Sequence, residues 1–223
     1  MYIVVKYIAQ LALFLYYKRI KLFHTDRIPK SGPILFLPNH QNALMDPLIM
    51  AAYSTRKPFF LTRSDVFANS ILRAFFGFLQ MMPIYRMRDG RSKLSNNEAI
   101  FKRCSDILLS GKSLVIFPEG NHNIQRRVRP LSKGFTRFLF GSLERDPEFN
   151  PALIPVGVNY QQASGFPDSA VLYFGTAVDF QDVLEPGDMQ QTILKTKEAL
   201  YAQLIKLTAH IGDELHYDEI LDR

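Results

Sequence analysis

Cysteine is nearly absent from this chain: Cys104 stands alone among 223 residues. An intrachain disulfide is therefore impossible, and the fold needs no oxidising compartment. Cys104 falls in a helical pattern with Ile100, Ile107 and Leu108, which predicts a buried structural thiol rather than a nucleophile. Tryptophan is missing altogether. A clear membrane span is missing too. The apolar stretch at residues 3–17, IVVKYIAQLALFLYY, is interrupted by Lys6 and Gln10 and falls short of the roughly 20 residues that cross a bilayer. No small-residue cleavage site follows it, so no cleavable signal is expected. The chain has no internal repeat, low-complexity tract or dividing linker. No recognition-helix or RNA-binding motif accompanies its basic charge, so nucleic acid is not expected as a partner.

A hydrophobic fraction of 47% excludes global disorder, and the length suits one α/β core. Eighteen Phe and ten Tyr fit an apolar cavity, a lipid-facing surface or a Phe-rich core. A formal charge of +6 and a pI near 9.4 favour anionic partners, among them phospholipid headgroups. At the N-terminus Lys6 and Gln10 lie one turn apart on one face, which Tyr17 and Lys21 roughly extend, and Lys18, Arg19 and Lys21 form a basic end. This predicts a helix over residues 1–24 lying in a membrane interface, its basic end drawn to anionic headgroups. A core helix and a short tilted span are the alternatives. Residues 25–223 are expected to form one domain.

Along that domain, the turn cluster at 29–32 precedes the apolar strand PILFLP, which ends at Asn39-His40. Further strands are predicted at 57–62, 81–85, 113–118, 152–159 and 170–176. Helices are predicted at 47–54, 64–80, about 96–109, 134–144 and 188–212. The alternation argues for an α/β fold with a mixed, mostly parallel central sheet flanked by helices.

Three constellations could carry chemistry. In the first, His40 falls where an apolar strand ends, the position at which α/β sheets bind ligands. An imidazole there can accept a proton from an alcohol if a partner fixes its tautomer, and Asp46 could be that partner. Asp46-Pro47 is also an ordinary helix start, with the aspartate as N-cap. In the second, Glu119 and Gly120 follow another strand, with Pro118 ending it, although a plain turn reads the same way. The third is basic. Arg86 ends the strand MMPIY, and Arg126, Arg127, Arg129 and Lys133 could bind phosphate, face a membrane or form a solvated loop.

Taken together, NHQNALMD (39–46), GFLQMMPIYR (77–86), FPEG (117–120) and ALIPVGV (152–158) resemble the four ordered motifs of the glycerolipid acyltransferases, which include the lysophosphatidic acid acyltransferases. The resemblance spans about residues 34–160. It implies His40 as catalytic base with Asp46 as partner, and Asn39 next to them is expected to bind substrate. It implies Arg86, Glu119 and Gly120 at the phosphate or glycerol part of the acceptor, and Pro155 near the acyl-donor site. It further implies direct acyl transfer from acyl-carrier protein or coenzyme A, with no bound cofactor and no metal. The partners are then a lipid acceptor and an anionic membrane surface, at the cytoplasmic face of the cell membrane.

Two departures bear on the acceptor. Five residues separate His40 from Asp46, one more than the common family spacing, as in some relatives that acylate glycerol-3-phosphate or dihydroxyacetone phosphate. Asn121-His122 stands where Thr or Ser with Arg is frequent, so His122 is either a loop residue or a second acceptor contact. The expected acceptor is lysophosphatidic acid, with glycerol-3-phosphate, dihydroxyacetone phosphate or a lyso-aminolipid as alternatives. A non-enzymatic lipid-binding protein on the same scaffold is the rival from another class.

Overall fold

The computed structural model of the protein describes residues 2–68, 70–85 and 96–222. Its strands are β1 (Tyr17–Phe23), β2 (Ile34–Pro38), β3 (Phe59–Arg63), β4 (Met81–Ile84), β5 (Ser113–Val115), β6 (Ala152–Tyr160), β7 (Asp168–Phe174) and β8 (Val178–Asp179). They form one sheet of order β1-β7-β6-β2-β5-β3-β4, with β8 paired to β6. Pairing is parallel except where β6 meets β7 and β8. The expected mixed, mostly parallel sheet is therefore what the chain builds.

Both faces of the sheet are covered, which is why β2 reads as an unbroken apolar run. Ile34 and Phe36 join one core, and Leu35 and Leu37 the other. The first core is closed by helices α1 (Tyr2–Tyr16), α2 (Met45–Tyr53) and α3 (Ser70–Phe78). The second is closed by α4 (Asn96–Leu109), α5 (Thr136–Leu143), α6 (Phe180–Val183) and α7 (Met189–Leu207), and a short α8 (Tyr217–Leu221) follows. At Gly157 of β6 the carboxyl end of α7 comes so close that an added Cβ would lie 2.1 Å from the Leu207 carbonyl oxygen. Only glycine permits that approach. Asn159 then seals the helix end, donating to the Leu207 carbonyl and accepting from the Ala209 N–H, which stops α7 well short of residue 212.

The N-terminal segment differs from the single helix expected over 1–24. The helix stops at Tyr16, because from Tyr17 onward the chain pairs with β7 as an edge strand. Lys18, Arg19 and Lys21 thus sit exposed on a sheet edge, where charge discourages pairing with another chain. Lys6 and Gln10 face the domain: they donate to the carbonyls of Ser54 (2.8 Å) and Ala52 (2.7 Å) at the end of α2. Those carbonyls have no partner within their own helix, and a cation there also opposes the helix dipole. Ile3, Val4, Tyr7, Ile8, Leu11, Phe14 and Leu15 remain exposed. No helix among the described residues is long and apolar enough to cross a membrane.

Two further elements are shorter than expected. The strand at 113–118 ends at Val115, since Phe117 turns out of the sheet to lie against His40. The stretch 64–80 divides into a 3-10 turn at Ser64–Phe67 and helix α3.

Candidate active site

Asn39 is the first residue beyond β2, and its side chain takes over where the ladder stops. Rather than facing a substrate, its buried amide donates to the Val158 carbonyl (3.0 Å) and accepts from the Val158 N–H (2.6 Å), fastening the end of β2 to β6. That fixed point delivers His40 at the carboxyl edge of the sheet, as the strand-end rule requires.

The His40 ring is held on two sides. Its Nδ1 lies 2.8 Å from Asp46 Oδ2, and it stacks on Phe117 with centroids 4.1 Å apart. Because an ionised carboxylate only accepts, Nδ1 carries the proton and Nε2 is left available to a substrate. Asp46 is fully buried and has further donors: the Asn42 N–H on Oδ2 (2.9 Å) and the Tyr160 hydroxyl on Oδ1. Asp46 does not cap α2. It lies inside the first turn, and the Asn42 side chain instead accepts from the N–H groups of Leu44 (3.2 Å) and Met45 (3.1 Å). Asp46 is thereby free for His40.

Glu119 sits beside His40 but turns away from the cavity. Oε1 accepts the His40 backbone N–H (3.0 Å), and Oε2 accepts the Arg129 N–H and Nε (both 3.3 Å). Burial raises its pKa, against the opposing pull of the His40 and Arg129 hydrogen bonds. The two loops are further joined by the Asn123 N–H on the His40 carbonyl (2.9 Å) and by the Gln41 amide on the Ile124 and Gln125 carbonyls.

A cavity of about 320 Å³ opens beside this pair. Its wall includes His40, Leu44, Leu61, Val66, Ile84, Ile116 and Phe117, with Gly120, Asn121 and His122 at the polar side. Gly120 has φ +75°, the left-handed backbone that carries the chain round the rim. His122 meets the His40 ring edge-on at 5.8 Å. The other expected residues divide. Pro155 lies in β6 beside Leu37, its ring close against Gly175, and is not in the cavity wall. Arg86 lies outside the described residues. Arg126 holds the Gln161 carbonyl, Arg127 pairs with Glu214, and Arg129 with Glu119 and the Asn121 carbonyl. Much of the basic cluster therefore holds loops together. Tyr160 stands in none of the sequence motifs, while Asn42 and Phe117 stand in two of them without a role that the motif alone assigns. Tyr160 lies 114 positions from Asp46, and nothing in its local pattern separates it from a core tyrosine. Among the described residues no group of three or more His, Cys, Asp or Glu is gathered to hold a metal.

The family model Acyltransferase matches residues 19–158, well over half of the chain. The chain belongs to the Acyltransferase family. Relatives include a chloroplast 1-acyl-sn-glycerol-3-phosphate acyltransferase of Arabidopsis thaliana, 29% identical over 56% of this chain and 33% of that protein. Glycerol-3-phosphate O-acyltransferase 1 of Saccharomyces cerevisiae is 26% identical over 38% of this chain and 11% of that protein. The alignments thus span a third or less of these relatives' lengths. The crystal structure of the 1-acyl-sn-glycerophosphate acyltransferase PlsC from Thermotoga maritima superposes with a TM-score of 0.62 at 15% identity, over 95% of this chain and 81% of that one. The two share the acyltransferase fold.

Proposed function

We propose that the protein transfers a fatty acyl chain from an acyl thioester, on coenzyme A or acyl-carrier protein, to the hydroxyl of a lysophospholipid, with lysophosphatidic acid as the leading acceptor. The observation that carries this reading is the 2.8 Å His40–Asp46 contact at the mouth of an apolar cavity. Nε2 of His40 accepts the acceptor's hydroxyl proton as its oxygen attacks the thioester carbonyl. The C–O bond forms, the C–S bond of the tetrahedral intermediate breaks, and the thiolate leaves with the proton from His40. Asp46 stabilises the imidazolium in between. The cavity, at the lower end of the roughly 300–1,000 Å³ typical of ligand sites, suits part of an acyl chain. No metal and no bound cofactor enter this scheme.

For the acceptor, Gly120 and the Asn121-His122 rim are the polar groups beside His40, and Arg86 follows the strand whose last residue, Ile84, reaches the cavity. Glycerol-3-phosphate is the second reading, favoured by the one-residue-longer His40–Asp46 spacing and by the yeast relative. The exposed apolar face of α1 supports docking on a membrane surface, which would bring lysolipid to the site. The test is product formation from labelled acyl thioester with lysophosphatidic acid, glycerol-3-phosphate and a lyso-aminolipid. His40→Ala is expected to lower turnover about 100-fold or more. Turnover of none of these acceptors would refute the reading and favour a lipid-binding scaffold, and acyl transfer unaffected by His40→Ala would remove His40 as the base.

A further inference from the structure

Behind the His40–Asp46 pair lies a buried aromatic column that the reaction scheme does not use. Tyr160 ends β6 and gives its hydroxyl proton to Asp46 Oδ1, the oxygen that His40 does not touch. Tyr17 opens β1 and stacks on Tyr160, with ring centroids 6.1 Å apart and planes at 26°, and the two hydroxyls lie close enough to interact. Both residues are buried. Tyr17 is also where α1 hands over to the sheet: its neighbour Tyr16 packs edge-on against it at 4.9 Å.

A carboxylate with one oxygen free can rotate and trade acceptor positions; one with both oxygens held cannot. Asp46 Oδ2 takes His40 and the Asn42 N–H, and Oδ1 takes Tyr160. Oδ2 is held from within its own loop and Oδ1 from the end of β6, so the plane of the carboxylate, and through it the imidazole, is fixed only when the loop and the sheet are packed together. We propose that Tyr160 is a positioning residue for acyl transfer: its hydroxyl pins Asp46 Oδ1 so that Oδ2 stays on His40 Nδ1, with Tyr17 bracing it from the α1–β1 junction. This rests on the reading of His40 and Asp46 as the reacting pair.

The charged and titratable groups around the column are His40 and Asp46 in front, Tyr16 and Tyr17 behind, and Asp168. Asp168 pairs with Tyr17 across β1 and β7 and accepts the Gln162 N–H. His40 is also faced by Glu119, through its backbone, and by His122. Removing the Tyr160 hydroxyl leaves Asp46 with fewer donors, so it holds an imidazolium more tightly and the pair keeps its proton to higher pH.

The experiment uses the full chain with Tyr160→Phe, Tyr17→Phe and His40→Ala. Two readouts are followed: the pH profile of acyl transfer, and the His40 imidazole titration by NMR, assigned by its loss in His40→Ala. With Tyr160→Phe, kcat is expected to fall about tenfold with KM for the acceptor unchanged. The acid limb of the profile and the His40 titration should both move up by about half a pH unit or more. Tyr17→Phe should move both the same way by less, and it serves as the test if Tyr160→Phe does not fold. An unmoved His40 titration in the folded variant overturns the proposal, even where His40→Ala abolishes activity. Acyl transfer that survives His40→Ala would instead sink the reading of His40 as the base, and the titration, which needs no substrate, would still decide whether Tyr160 positions the pair.

Discussion

Both oxygens of Glu119 accept backbone N–H groups, from His40 and from Arg129, and its side chain is almost wholly out of solvent. Burial outweighs those hydrogen bonds and raises its pKa above the ordinary value of 4.5. The folded state therefore keeps this proton after the unfolded chain has released it. In that window the native state binds more protons, so stability falls as pH rises. Denaturant melts at a series of pH values should show wild type losing stability relative to Glu119→Gln from about pH 4 upward, levelling off once Glu119 ionises in the folded state. A difference that stays flat with pH would mean that Glu119 titrates normally. The motif FPEG made Glu119 conspicuous, but not what it holds. A carboxylate after a strand reads as a ligand contact, whereas here it braces the His40 backbone. Asp46 teaches the reverse: the helix-start reading of Asp-Pro competed with the histidine partner, and Asn42 resolves the competition by satisfying the first-turn donors itself.

At the scale of elements, α1 is amphipathic in an unusual sense, since its polar side chains point inward. Lys6 and Gln10 reach the last carbonyls of α2, Ala9 and Leu13 are buried, and the outward face is aliphatic and aromatic. An outward apolar face on a helix already packed against its domain wants a non-aqueous neighbour. Replacing Leu11 and Phe14, 60% and 73% exposed, with glutamate is expected to weaken binding to vesicles containing anionic phospholipid by about tenfold or more. The melting temperature should change by only a few degrees, because neither side chain supports the core. Co-sedimentation with vesicles checks the first outcome and thermal unfolding the second. Vesicle binding equal to wild type would shift the membrane contact elsewhere. The basic residues Lys18, Arg19 and Lys21, which follow the helix in sequence, belong to edge strand β1, and only the pairing of Tyr17–Phe23 with β7 reveals this.

Across the whole molecule, two cores on opposite faces of one sheet hold the strand ends in register, and the site exists only while that sheet is intact. Cys104 is a convenient reporter of that integrity. It is fully buried in the second core, and burial pushes its thiol up to about 12. At pH 8 only roughly one molecule in ten thousand would carry the thiolate, the form that reacts. Native protein should therefore resist a thiol reagent, and its labelling rate should follow global unfolding through a denaturant series. Fast labelling without denaturant would point to local opening of α4.

The sequence by itself determined the class of fold and the family, and it marked His40, Asp46, Glu119 and Gly120 as candidates at strand ends. Each of these rests on local chemistry: apolar runs too continuous for a one-sided sheet, and short motifs at strand ends. Only the tertiary structure decided how those residues are held. Tyr160 and Phe117 reach the histidine pair from other segments, with Tyr17 stacked on Tyr160, and a buried tyrosine in a core has the same local pattern whether or not it meets a carboxylate. The contacts that Tyr160 makes with Asp46 and Phe117 makes with His40 join segments distant in the chain. Their geometry is a property of the packed sheet, and no local sequence pattern encodes it.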